Sequence, residues 1–271
     1  MKNSDDSPLV SCILPVHNDN GGFLDLAIQS ILNQTFEDFE FIIVANACTD
    51  EFWANLNKYN DHRIRLFRTT IGQQAFNINY GLNESKGRYI ARMDADDISL
   101  PERFEKQVKY LNENVEVGVL GTAHQEIDEF GNKGRIFRPP KTDVDIRNML
   151  FYSSPLSHPT IMFRKTLLLK NSGYMYRVDD YDLWLRMRRT PDACFGNLDE
   201  VLLLYRRHAG QFTAQKNGSI NAYSIAGLLL REFLITKNPK FLLGLARTMI
   251  SATSFVQNMI KPVFRWIKRT K

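Results

Sequence analysis

Tyr89-Ile-Ala-Arg-Met-Asp-Ala-Asp-Asp97 runs from an apolar stretch straight into three acids. The first half reads as a buried strand, and the second delivers an Asp-x-Asp pair, Asp94 and Asp96, at the strand's end. Residues two apart in extended backbone point to the same side, so the pair is expected to present two carboxylates together. Such a pair suits a hard divalent cation, which takes oxygen ligands and commonly holds substrate phosphates as well. A plainer reading stands beside this one. Ser99-Leu-Pro-Glu102 has the form of a capping box opening a helix, where acids are ordinary.

Upstream, short apolar runs alternate with helical patterns: Val10 to Val16, Gly22 to Asn33, Glu40 to Val44, Asp50 to Tyr59, Ile64 to Phe67 and Gln73 to Glu84. That alternation predicts crossover units on a mostly parallel sheet, an α/β fold. Ligands of such sheets sit beyond the carboxyl ends of the strands. Pro15 to Asn20, Ala45 to Asp50 and Asp94 to Asp97 all follow strands, so the three segments are expected along one rim. Downstream the pattern is mixed, with strand-like runs at Val117 to Gly121, Thr160 to Phe163 and Val201 to Tyr205, and a helix near Asp180 to Arg189. A boundary is expected at Asn217-Gly-Ser, which divides the chain into a body, residues 1–212, and a helical region, residues 213–271.

The 271 residues are 44% hydrophobic, enough for one large core. The formal charge of +5 is unevenly placed. Residues 213–271 hold ten Lys or Arg against one acid, Glu232, a net of +9, which leaves −4 on residues 1–212. An acidic body with a basic tail is not a general nucleic-acid binder. Cys12, Cys48 and Cys194 are odd in number and far apart, which suggests neither a disulfide framework nor a metal knuckle and fits a cytoplasmic setting. Met1 to Ser7 has no apolar run, so no secretory signal is expected there.

Four blocks, in order, carry a family resemblance: Val10-Ser-Cys-Ile-Leu-Pro-Val-His-Asn18, Ile28-Gln-Ser-Ile-Leu-Asn-Gln-Thr-Phe36, Tyr89 through Arg103, and Asp179-Asp-Tyr-Asp-Leu-Trp-Leu-Arg186. His158-Pro-Thr-Ile-Met-Phe-Arg164 and Tyr205-Arg-Arg-His208 add two more. Together they resemble the inverting family 2 glycosyltransferases of bacterial polysaccharide synthesis. The resemblance implies a GT-A type fold: a Rossmann-like, mostly parallel sheet, a mixed acceptor-side half and C-terminal helices. It also implies a nucleotide-sugar donor, a saccharide or lipid-linked saccharide acceptor, and Mn²⁺ or Mg²⁺ as cofactor.

Site roles follow from that resemblance. Asp96 and Asp94 go to the metal, with Asp94 also on the donor side, and His208 joins them. Pro15, His17 and Asn18 after the first strand, and Arg206, go to the donor. Where the family usually has two aspartates after the second strand, this chain has Ala45 and Asn46, so an amide replaces an acid in donor contact and leaves the nucleotide's identity open. Asp180 matches the family's catalytic base, within Asp179-Asp-Tyr-Asp182 where the family has Glu-Asp-x-Asp. Asp179, Trp184 and His158 fall on the acceptor side, with Trp184 expected in the core beneath the site. At a helix N-terminus the macrodipole favours a charged carboxylate, which would weaken Asp180 as a base. Arg92 is expected to neutralise the acids, to touch the donor, or to make a strand-edge ion pair. His62 and His124 look incidental, and no histidine pair has zinc-site spacing.

From residue 219 onward the composition is helical, with breaks at Asn238-Pro239 and Pro262, and the longest uncharged stretch is too short to span a bilayer. Phe255, Val256, Met259, Val263, Phe264, Trp266 and Ile267 are interspersed with Lys and Arg, a pattern suited to peripheral contact with the inner face of the plasma membrane. The rival reading is helices that cover the body. Two other functions compete with sugar transfer. A nucleotidyltransferase also sets acids beside a parallel sheet, but Pro15 to Gly22 has no Lys or Arg to hold a triphosphate. A scaffold protein would keep the fold while Ala45 and Asn46 ended donor use. No GxGxxG follows the first strand, which disfavours a dehydrogenase.

Overall fold

The computed structural model describes residues 7–18, 22–175, 179–211 and 218–251. β1 (Val10–Val16), β2 (Phe39–Asn46), β3 (Ile64–Thr69) and β4 (Tyr89–Arg92) lie parallel in the order β3-β2-β1-β4, linked by α1 (Leu24–Leu32), α2 (Asp50–Leu56) and α3 (Gln74–Glu84). β1 alternates between the two cores, with Cys12 and Leu14 packed on one face and Ile13 on the other. A strand buried on both faces reads as a continuous apolar run, which is how Val10 to Val16 looks.

The second half is mixed, as expected. β5 (Ile98–Ser99) and α4 (Arg103–Glu113) precede β6 (Val117–Ile127) and β7 (Lys133–Phe137), which form a hairpin. α5 (Asp143–Met149), a 3₁₀ turn (His158–Thr160), β8 (Met162–Arg164), α6 (Lys165–Lys170), α7 (Asp179–Arg188) and β9 (Cys194–Arg206) follow. The sheet continues β4-β8-β6-β9-β5; β8 is antiparallel to both its neighbours, and β6 and β9 run parallel. Ser99 opens no helix. It pairs with Leu203 in β5, and α4 starts at Arg103 after Glu102, which makes no side-chain cap.

The strand order reverses direction at β1, whose neighbours are β2 on one side and β4 on the other. Crevices at such switch points are where open α/β sheets bind ligands. Pro15 is tolerated at the edge of this one. Tyr89 N and Met93 N donate to Leu9 O and Ile13 O, so odd-numbered residues of β1 aim their backbone groups at β4. Pairing with β4 ends at Ile13 and Arg92, so the N–H that Pro15 lacks would have met no strand there.

Ala47, just past β2, holds a left-handed backbone at φ 43° while its N–H reaches Thr69 O at 2.8 Å. That conformation costs a residue with a Cβ about 1–2 kcal/mol. Ala47→Gly is therefore expected to raise stability by about 1 kcal/mol in urea unfolding, and a loss of stability would contradict this account of the turn.

α8 (Gly218–Thr236) and the helical residues 240–251 pack on the body. Leu228, Leu229 and Phe241 join the same core cluster as Phe163, Trp184 and Phe195. Charges reinforce the contact: Asp182 of α7, fully buried, takes Arg186 at 2.8 Å and Arg231 of α8 at 2.5 Å, and buried Glu232 takes Arg231 at 2.9 Å and also Arg189. Removing one partner from buried ion pairs is costly, so Arg231→Met should lower stability by about 3 kcal/mol in urea unfolding. A change within error would mean that the cluster contributes nothing to docking α8. The tail residues Phe255, Val256, Met259, Val263, Phe264, Trp266 and Ile267 and the boundary residue Asn217 lie outside the described residues. Among the described residues no helix is long and apolar enough to cross a membrane.

Candidate active site

β4 stops at Arg92, two residues short of Asp94, so the acids stand in a turn and not on a strand. Strand alternation therefore does not align them; the turn leaves both side chains 29% exposed while Asp97 turns inward at 1%. Asp97 Oδ1 accepts from Arg206 N at 2.9 Å, which ties the turn to the end of β9. Burial first, and then the charges of Asp96 and Asp94, push the Asp97 carboxyl well above its usual range. Asp97 thus supports the turn.

Arg92 is not at an exposed strand edge. Its guanidinium is buried, donates to Asp94 Oδ1 at 2.5 Å and to the Met93 carbonyl, and reaches Ile13 O at 3.5 Å. Beneath it Arg103, fully buried, donates to Arg92 O at 2.7 Å and is held by Gln107, which in turn grips Leu120 O and Thr160 O. Burial draws Arg103 down to about 10, so it remains a cation at neutral pH. Burial of Asp94 raises its carboxyl, with Arg92 opposing and Asp96 adding to the rise. The two arginines fix the loop from below and offset part of its negative charge.

Asp96 Oδ2 meets His208 Nε2 at 3.0 Å, across 112 residues of sequence. His208 is 15% exposed and its ring sits edge-on to Phe23. Arg206 is put to a different use from donor binding. It is 2% exposed, lies over the Phe23 ring at 4.3 Å, and spends its guanidinium on carbonyls, Asp96 O at 2.9 Å, Asp128 O at 3.1 Å and Glu129 O at 3.4 Å. Arginine's planar fork suits such bridging. Arg206 therefore shapes the acidic turn rather than facing a substrate.

On the β1–β2 side, His17 is exposed and its Nδ1 lies 2.7 Å from Asn46 O, while Asn18 Oδ1 accepts from Thr49 N at 3.3 Å. Asn46 is 8% exposed and its amide donates to Val16 O at 2.8 Å. One of the two groups with which Asn46 was expected to read a base is thus used to join the ends of β1 and β2. Among the described residues its Oδ1 makes no hydrogen bond.

Asp180 is the second residue of α7 and half-buried. Its Oδ1 accepts from Tyr181 N at 2.7 Å, yet burial outweighs this and raises the carboxyl, with the Asp94 charge adding to the rise. Desolvation acts in the direction opposite to the helix dipole. Of Asp179 only the backbone, the start of α7, is described.

Trp184 is fully buried, stacked on Phe163 at 5.6 Å and edge-on to His158 at 6.3 Å, so it is a foundation and cannot line an acceptor site. His158 is partly buried, with Nε2 2.9 Å from Tyr174 Oη; burial, then Arg92, lowers it well below the usual histidine range. Tyr174 has no counterpart among the sequence-derived residues. His62 is exposed, whereas His124 is a packing residue, stacked on Phe137 and bonded to Ser157. Cys12 is pushed up to about 12 by burial, which removes it as a nucleophile.

The donor set near Asp96 fits a hard cation held openly. Among the described residues no three His, Cys, Asp or Glu side chains converge into a closed metal cage. Mg²⁺-like ions are commonly bound by one or two carboxylates with the rest of their shell from substrate phosphates and water. Asp96, whose Oδ1 makes no hydrogen bond among the described residues, and His208 provide such a platform, with Asp94 beside them. A closed zinc site is a poor fit.

The model of glycosyl transferase family 2 matches residues 11–172. The chain is 39% identical over 233 residues to the O-antigen biosynthesis glycosyltransferase WbnJ of Escherichia coli, covering 83% of this chain and 89% of the relative. It is 36% identical over 239 residues to the amylovoran biosynthesis glycosyltransferase AmsE of Erwinia amylovora, covering 83% and 87%. A third relative, the UDP-Gal:alpha-D-GlcNAc-diphosphoundecaprenol beta-1,3-galactosyltransferase of Escherichia coli, is 29% identical over 273 residues, 96% of this chain and 92% of the relative. In fold, the chain resembles S. aureus TarS 1-349 in complex with UDP-GlcNAc, with a TM-score of 0.65 at 18% identity over 83% of this chain and 66% of that one. It also resembles the mannosyltransferase PcManGT from Pyrobaculum calidifontis in complex with GDP-Man and Mn²⁺, with a TM-score of 0.61 at 16% identity over 97% and 83%. The architecture is that of the GT-A glycosyltransferases, and the chain belongs to glycosyl transferase family 2.

Proposed function

We propose that this enzyme transfers a sugar, with inversion and with Mn²⁺ or Mg²⁺, from a nucleoside-diphosphate donor to a saccharide or lipid-linked saccharide during surface polysaccharide assembly. The observation that carries this reading is the 3.0 Å contact of Asp96 with His208 in the acidic turn after β4, beside the switch point at β1. The names of WbnJ, AmsE and the diphosphoundecaprenol-dependent relative support the pathway and the acceptor class. The donors in the TarS and PcManGT complexes support the donor class.

Asp96 and His208 would hold the cation, and the cation's charge would stabilise the leaving diphosphate. Asp94, whose Oδ1 is held by Arg92, orients the donor. Asp180 accepts the acceptor hydroxyl's proton as that oxygen attacks the anomeric carbon from the face opposite the diphosphate. His17, Asn18 and Asn46 border the nucleotide end at β1 and β2, with His158 and Tyr174 towards the acceptor. Residues 1–212 form the catalytic body. α8 and residues 240–251 dock on it, and the C-terminal region, residues 213–271, offers a peripheral membrane contact at the cytoplasmic face, supported by exposed Leu234, Ile235, Leu243 and Ile250 beside basic residues.

The test is a turnover screen of UDP- and GDP-sugars with lipid-linked acceptors and Mn²⁺, with the anomeric configuration of the product read by NMR. Inversion is expected. Retention of configuration would contradict the single displacement, and absence of any transfer would contradict the reading as a whole.

A further inference from the structure

Phe130 is 83% exposed at the tip of the β6–β7 hairpin. The tip holds its shape without it. Asp128 Oδ1 accepts from Phe130 N at 2.9 Å and Asn132 N at 2.8 Å, Oδ2 accepts from Asn132 Nδ2 at 2.8 Å, and Gly131 supplies a φ of +87°. Asp, Gly and Asn are what such a turn demands, so a phenylalanine side chain in water gains the turn nothing.

The hairpin's place gives that ring a use. β6 runs parallel to β9, with Ile127 opposite Arg206, so the tip projects from the same rim as the acidic turn. Arg206 bonds Asp128 O and Glu129 O, the latter adjacent to Phe130, and with its Nε bonds Asp96 O. One guanidinium therefore clamps the tip to the loop that carries the Asp-x-Asp pair. The acids Glu126, Asp128 and Glu129 are matched by Lys133, Arg135 and Arg207, with Glu126 paired to both arginines at 2.7 Å, so the tip carries balanced charge, which suits a neutral partner. A pyranose face of C–H bonds, slightly positive, matches the slightly negative face of an aromatic ring.

We propose that Phe130 is the stacking platform for the acceptor sugar, a specificity subsite held in register with the reaction centre by Arg206. The assignment rests on the glycosyl-transfer reading. It differs from that reading in its test.

Phe130→Ala is to be compared with the wild type on octyl glycosides of a panel of hexoses and N-acetylhexosamines. The acceptor KM should rise about tenfold while the donor KM stays the same, and Phe130→Trp should restore it. An exposed tip residue should leave the melting temperature unaltered. An unchanged acceptor KM in an active Phe130→Ala enzyme overturns this inference alone. Reduced binding to phosphatidylglycerol vesicles with an unchanged acceptor KM makes the residue a membrane contact and also overturns it. Absence of transfer by the wild type overturns glycosyl transfer, and the subsite with it.

Discussion

Asp180→Asn is expected to lower kcat by about a hundredfold to ten-thousandfold, the usual contribution of a positioned general base, with the donor KM little changed. The substitution keeps the size of the side chain and its place on α7, whose anchors are Asp182 to Arg186 and Arg231. Only the proton acceptor is lost. The pH profile gives an independent readout. Burial raises the Asp180 carboxyl above its ordinary 3.8, and a base works only when deprotonated. Wild-type activity should therefore climb as pH rises through the raised value and be lost as pH falls below it. The residual activity of Asp180→Asn should lack that acid limb. A variant with near wild-type kcat, or with the same acid limb, would move the base elsewhere.

Asp96→Ala is expected to cost about a hundredfold to a thousandfold in kcat, the scale seen when one group that stabilises developing charge is removed. Asp96 carries the only carboxylate in contact with His208 among the described residues, and its backbone carbonyl is separately held by Arg206. The turn should therefore keep its shape, and the thermal melt of the variant should stay close to wild type. His208→Ala should lose activity in the same direction, because the imidazole is the second half of the platform. Full turnover in Asp96→Ala would show that the diphosphate is held by other means.

The parallel half of the fold was legible because β1, β2 and β4 are buried on both faces and therefore mostly apolar. β5, two residues long, and the exposed β7 carry no such signal; their pairing depends on partners distant in sequence. Asp94, Asp96, Asp180 and His208 were named from their blocks; in the structure Asp96 and His208 meet, and Arg92 holds Asp94. What the blocks concealed was the use of each polar atom. Arg206 looked like a phosphate ligand because it is basic and precedes His208, yet its donors go to three carbonyls. Asn46 looked like a base reader, yet its amide closes the β1–β2 ends. Trp184, by contrast, lies in the core beneath the site as its apolar neighbours imply. The raised Asp180 carboxyl was hidden for the same reason: dipole arguments from sequence see the helix end but not the burial around it. Phe130 gave no signal at all, since an aromatic in a turn is ordinary until its exposure and its clamp are seen.

The central claim is that Asp96 and His208 form one face of a cation site completed by diphosphate oxygens. Calorimetric titration of UDP and GDP into the wild type and Asp96→Ala, each with and without Mn²⁺, tests it most directly. The account predicts nucleotide binding by the wild type that is strengthened at least about tenfold by Mn²⁺, a coupling of about 1.4 kcal/mol, and loss of that strengthening in Asp96→Ala. Equal affinity with and without Mn²⁺, or an undiminished Mn²⁺ effect in the variant, would contradict it.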